Sequence, residues 1–172
     1  MEISQLITPE RVQCLGGIKS KKRALESLSQ LLASGVIGVD PTDIFHQLIE
    51  RERLGSTGLG HGVALPHGRF SPSQDDSDDA QFDLGMTPKM TLGCFIKLDQ
   101  GVDFDSPDAK PADLLFGLLV PEHCTDEHLQ VLAALAQMFS DTEFCEQLRN
   151  TKTNEELYTM LSSWKQSHQE AS

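Results

Sequence analysis

Fifteen residues constrain this chain more than any other stretch: Gly55 to Arg69, which read Gly-Ser-Thr-Gly-Leu-Gly-His-Gly-Val-Ala-Leu-Pro-His-Gly-Arg. A solvated linker would not hold Val63-Ala64-Leu65, an apolar run that seeks burial as a short strand, nor fix the next position with Pro66. The residue before a proline is pushed toward extended geometry, and Gly68 lets the chain turn directly afterwards. The sequence therefore places His67 at a strand exit, open to a partner. Upstream, Gly55, Gly58, Gly60 and Gly62 allow backbone N–H groups to approach an anion, as concave amide nests do, and Ser56 and Thr57 add two hydroxyl donors. A neutral imidazole is a nucleophile, and amides, hydroxyls and a nearby arginine are what a phosphoryl group requires. The residues alone leave two readings open, a phosphorylatable histidine or a glycine-rich turn followed by an ordinary surface histidine. Neither nucleotide-binding fingerprint is matched: no Lys-Ser/Thr pair follows a Gly-x4-Gly step, and Gly58-Leu59-Gly60 lacks a strand before it and a helix after it.

With 172 residues, 38% of them hydrophobic, the chain suits one domain with a sizeable core. The balance of 14 basic against 26 acidic residues, net −12, argues against a nucleic-acid partner and favours partners with basic surfaces. Cys14, Cys94, Cys124 and Cys145 form no Cys-x2-Cys pair and read as reduced thiols. His61, His67, His123, Cys124 and His128 likewise lack the spacing that fixes a metal's ligands, so no metal is expected. The start has no basic, apolar leader, and no stretch approaches the roughly 18 apolar residues of a membrane span. The expected location is cytoplasmic, without membrane insertion.

Along the chain, Val12-Gln13-Cys14-Leu15 alternates like an edge strand. Ser20 caps a first helix in which Ala24, Leu25, Leu28, Leu31 and Leu32 recur at helical spacing until Gly35. Lys21, Lys22 and Arg23 in its first turn read as a solvated face. Asp40 and Pro41 open a second helix burying Ile44, Phe45, Leu48 and Ile49, whose last turn brings Arg51 and Arg53 to the glycine-rich segment. Residues 71–83 are acidic, proline-containing and without apolar periodicity, as expected of a loop. Met90 to Leu98 reads as a strand, with Phe95 indicating burial on both faces. Gly101 to Pro107 is a turn-rich connector, and Leu114 to Val120, apolar throughout, is a central strand. A third helix carries His128 in its first turn and presents Leu129, Leu132, Ala133, Leu135, Ala136 and Phe139 as its buried set. A shorter helix with Phe144 and Leu148 follows. Thr153 to Glu156 forms a capping box for the last helix, and the tail frays from about 165. This alternation indicates a single α/β domain.

Arg51-Glu52-Arg53-Leu54-Gly55-Ser56-Thr57-Gly58-Leu59-Gly60 followed by Val63-Ala64-Leu65-Pro66-His67-Gly68-Arg69 resembles the active-site segment of the mannitol/fructose-type enzyme IIA proteins of the bacterial phosphotransferase system. It is most similar to their nitrogen-regulatory branch. Ser20 to Glu26, and Pro111 to Pro121 followed by His128, extend the likeness over nearly the whole chain. The resemblance implies a small mixed β-sheet flanked by helices on both faces. It also implies a phosphoryl relay without a cofactor, in which His67 accepts the group from the phosphohistidine of a nitrogen-type phosphocarrier protein and phosphorylation regulates target proteins. Arg51 and His128 join His67 as catalytic residues, Ser56, Thr57 and Gly58 as phosphoryl-binding ones, and Nε2 is the implied acceptor nitrogen. The acidic loop, longer than the family's usual route to the next strand, resembles an insertion. Two alternatives remain: a sugar-specific transport component serving a separate IIB subunit, or a protein-binding module with a vestigial site.

Overall fold

An apolar run with no polar face can only lie between two layers. In the computed structural model, which describes residues 3–36, 38–70, 91–121 and 125–164, the run from Leu114 to Val120 does so. The described strands are β1 (Val12–Leu15), β2 (Gly58–Gly60), β3 (Val63–Ala64), β4 (His67–Phe70), β5 (Leu92–Val102) and β6 (Ala112–Pro121). The helices are α1 (Lys21–Ala33), α2 (Pro41–Leu54), α3 (Thr125–Ser140), α4 (Thr142–Asn150) and α5 (Asn154–Ser163). The sheet order is β1-β5-β6-β3-β2, with β4 also on β6. It is mixed: β5 runs antiparallel to β6, whereas β3 and β4 run parallel to it. Strand β5 continues to Val102, paired with Ala112, so the first residues of the expected connector are still strand.

The two faces of β6 divide the core. Leu114, Phe116, Leu118 and Val120 pack with Phe95, Val131, Leu135, Met138 and the helices that follow, while Leu115 and Leu119 pack with Ile96 and with Ala24, Leu28, Ile44 and Leu48 of α1 and α2. Each fully buried leucine of this kind loses about 2–5 kcal/mol on truncation to alanine. Helices therefore cover both faces, as the resemblance implied. The caps read from the sequence are present: Ser20, Asp40 and Thr153 each accept a backbone N–H of the first turn they precede.

Three local expectations are corrected, and each correction bears on the site. First, the chain does not turn at Gly68. Val63 lies opposite Leu114 and His67 opposite Leu118, so β3 and β4 keep one register along β6. The ladder breaks only at Leu65-Pro66, where proline has no N–H to give; its carbonyl still accepts Leu118 N–H at 2.9 Å. Second, the glycines upstream make a hairpin rather than an amide nest. His61 and Gly62 both have positive φ, 57° and 83°, in the two-residue turn joining β2 to β3. Third, α3 keeps Leu135 and Phe139 of its expected set buried but turns its first half differently. Leu129 is 65% exposed, whereas His128, Val131, Leu135 and Met138 face inward. A helix apolar at most positions leaves its phase open, and here the buried stripe includes a histidine. The acidic stretch 71–83, the tail from 165, His123 and Cys124 lie outside the described residues.

Candidate active site

His67 follows Pro66 as the first residue of β4, which pairs with β6, and only 9% of it is exposed. Its Nδ1 lies 2.8 Å from the carbonyl oxygen of Leu65. A carbonyl can only accept, so Nδ1 carries the proton and the neutral ring keeps its lone pair on Nε2. Burial lowers the ring's pKa below the ordinary histidine value; the Leu65 carbonyl acts against this, Arg51 with it, Glu52 against it and Arg69 with it. The result at neutral pH is an uncharged imidazole in a fixed tautomer, which is the nucleophilic form.

A cleft of about 390 Å3 opens over this ring. Among the described residues, α2 lines it with Gln47, Glu50, Arg51 and Leu54, β4 with His67, Gly68 and Arg69, and α3 with His128. The close approach of α2 depends on Gly68: a Cβ there would stand 2.9 Å from that of Gln47 and 3.2 Å from its backbone carbonyl carbon. Arg51 is steadied by a 2.7 Å hydrogen bond from its guanidinium to the Gly55 carbonyl, which uses one of its five donors. Arg53, the other cation of that turn, pairs with Glu50 on the surface. The imidazole of His128 lies 5.1 Å from that of His67, centroid to centroid, inclined at 54°. Its Nδ1 is buried without a hydrogen-bond partner, and its pKa is lowered by burial first and then by His67, Arg69 and Arg51. Two neutral imidazoles and two arginines around one opening suit a dianion that bonds to one ring and is held by the other groups.

The structure thus brings His67, Arg51 and His128 together. Ser56, Thr57 and Gly58 are not among the residues lining this cleft. The Ser56 hydroxyl donates to the Phe104 carbonyl and accepts Gly58 N–H at 2.9 Å, and the Thr57 hydroxyl donates to Glu52. Gly58 pairs with Ala64 in the hairpin, leaving no room for a side chain against Ser106. Two residues gain importance that spacing did not give them. Arg69 lines the cleft beside His67, and its place next to Gly68 was the available signal. Glu52 is buried and salt-bridged at 2.9 Å to Lys21 of α1, which also reaches Asp105 and covers the ring of Phe104. Lys21 is therefore a half-buried ion-pair partner, not part of a solvated face.

Comparison with known proteins identifies the family and the fold. The family model described as "Phosphoenolpyruvate-dependent sugar phosphotransferase system, EIIA 2" matches residues 5–164. A nitrogen regulatory protein of Pseudomonas aeruginosa is 39% identical over 163 residues, covering 94% of this chain and 95% of the relative. The crystal structure of nitrogen regulatory protein IIA-Ntr from Neisseria meningitidis superposes with a TM-score of 0.77 at 39% identity, covering 92% of this chain and 98% of that one. That of IIA mannitol from Escherichia coli gives 0.66 at 25% identity, over 90% and 98% of the two chains. With its sequence matched over residues 5–164 and its sheet superposing on that of a nitrogen regulatory protein, the chain belongs to the EIIA 2 family of the phosphoenolpyruvate-dependent sugar phosphotransferase system.

Proposed function

We propose that the chain relays a phosphoryl group through His67, taking it from the phosphohistidine of a nitrogen-type phosphocarrier protein and regulating target proteins by its phosphorylation state. The observation that carries this reading is the His67 tautomer: Nδ1 is committed to the Leu65 carbonyl, so the free electron pair belongs to Nε2 of a ring lining a cationic cleft. In the transfer, the Nε2 lone pair forms the new N–P bond while the donor's N–P bond breaks and returns its electron pair to the donor ring. The moving group is metaphosphate-like, with charge spread over three equatorial oxygens, so the site's task is positioning and charge stabilisation. Arg51 and Arg69 supply charge and His128 a hydrogen bond. Ser56, Thr57 and Gly58 act one step removed, by fixing the loop that leaves α2.

The greater likeness to nitrogen regulatory proteins than to the mannitol protein supports a regulatory role over service to a sugar permease. The reading is tested by incubating the chain with phosphoenolpyruvate, enzyme I and the phosphocarrier, then measuring intact mass. One added phosphoryl group, labile in acid, stable in alkali and absent from His67→Ala, is the expected result. Undiminished labelling of His67→Ala overturns it.

A further inference from the structure

Beneath the cleft, a line of hydrogen bonds leads from a buried carboxylate to the His67 ring. Glu52 leaves 4% of its side chain exposed. One carboxylate oxygen accepts the Thr57 backbone N–H at 3.2 Å and the Thr57 hydroxyl, and the other takes the Lys21 ammonium. The Thr57 carbonyl accepts Leu65 N–H at 3.0 Å, and the Leu65 carbonyl accepts Nδ1–H of His67 at 2.8 Å. Glu52 therefore sets the position of Thr57, Thr57 that of Leu65, and Leu65 the orientation of the ring. A buried ion pair is weak as a source of stability, because desolvation offsets most of the attraction. The site offers a better reason for its presence.

Resting on the relay reading of His67, we infer that Glu52 is a positioning residue for phosphoryl acceptance: through Thr57 and Leu65 it holds Nδ1–H of His67 and balances the charge the ring acquires. When Nε2 gives its lone pair to phosphorus, the ring still holds its Nδ1 proton and becomes a cation. The charged and titratable groups facing it are Glu50, Arg51 and Glu52 from α2, Arg69 from β4 and His128 from α3. Two arginines that attract the incoming anion also oppose a cationic ring. Glu50 is exposed and taken up by Arg53 in water; Glu52 also has a cation, Lys21, on one oxygen, but it is buried and little screened and its other oxygen faces Thr57, so it is the carboxylate that opposes them.

Glu52→Gln keeps the size and removes the charge. In the unphosphorylated full chain, 15N NMR of the imidazoles reads the His67 tautomer and pKa. The phosphocarrier assay reads the acceptance rate. The expected result is a lower pKa, a loss of Nδ1–H tautomer to the Nε2–H form, and acceptance slowed roughly tenfold to a hundredfold. Should circular dichroism show that Glu52→Gln has lost its fold, Thr57→Val, which removes the hydroxyl link and keeps the charge, is read by tautomer and rate. A parent-like tautomer and pKa, or a parent-like rate, overturns the proposal. If the parent itself takes no phosphoryl group, the relay reading has failed. If the parent is labelled and the variant matches it in both tautomer and pKa, or in rate, only the role of Glu52 has.

Discussion

At the scale of single residues, the site depends on keeping an imidazole uncharged and in one tautomer. Burial is the largest influence on both His67 and His128, and it lowers both pKa values from the ordinary 6.5. The sign follows directly: the unfolded chain binds these protons first as pH falls, so their contribution to stability is intact above about pH 6.5 and is lost as pH drops through the folded values. Denaturation midpoints measured across pH 5 to 8 should fall on the acid side, and His128→Ala should flatten that fall. Acceptance by His67 should be level above about pH 6.5 and decline only below the ordinary histidine range, with the amount of phosphocarrier donor held constant. Arg51→Ala and His128→Ala should each slow acceptance roughly a hundredfold in single-turnover assays while the circular dichroism spectrum stays that of the parent. His67 was legible because Pro66 marks a fixed strand residue; the helix C-terminus offered Arg51 and Arg53 alike, and the family resemblance chose Arg51. Glu52 was not, since a glutamate between two arginines in a surface helix looks like an ordinary solvated charge. Its partners Lys21 and Thr57 meet it only through tertiary packing.

At the scale of elements, the site is made by the closeness of α2 to β4 and the phase of α3. The first can be tested at Gly68. Its φ is not in the left-handed region, so Gly68→Ala acts by bulk alone, driving α2 from the strand. A loss of about 1–3 kcal/mol in urea unfolding is expected from such overpacking, together with slower acceptance as Arg51 moves away from His67. A variant as stable and as fast as the parent would show that α2 has room to spare. Strands β5 and β6 were legible because β6 is apolar on both faces and the first half of β5 alternates, whereas β2 was not. The continuation of β4 past His67 was hidden, because it depends on Pro66 accepting from Leu118, a residue far along the chain. The phase of α3 was hidden for a different reason: with Leu129, Val131, Leu132, Leu135 and Met138 all apolar, only packing decides which stripe turns inward, and the choice carries His128 to His67.

At the scale of the whole molecule, a chain of net charge −12 presents a cationic cleft to an anionic group. Asp75, Asp76, Asp78 and Asp79 follow His67 closely in sequence, and if the donor's surface is basic they speed its approach. Replacing these four with asparagine should slow acceptance at low salt and leave it equal to the parent at high salt, where charges are screened over about 3 Å at 1 M. Identical curves at all salt concentrations would reduce the stretch to a spacer. The relay itself is tested most directly by 31P and 15N NMR of the phosphorylated chain, which identifies the nitrogen bearing phosphorus. With Nδ1 committed to the Leu65 carbonyl, the phosphoryl group should be on Nε2 of His67. Phosphorus on Nδ1, or on any residue other than His67, would contradict the account.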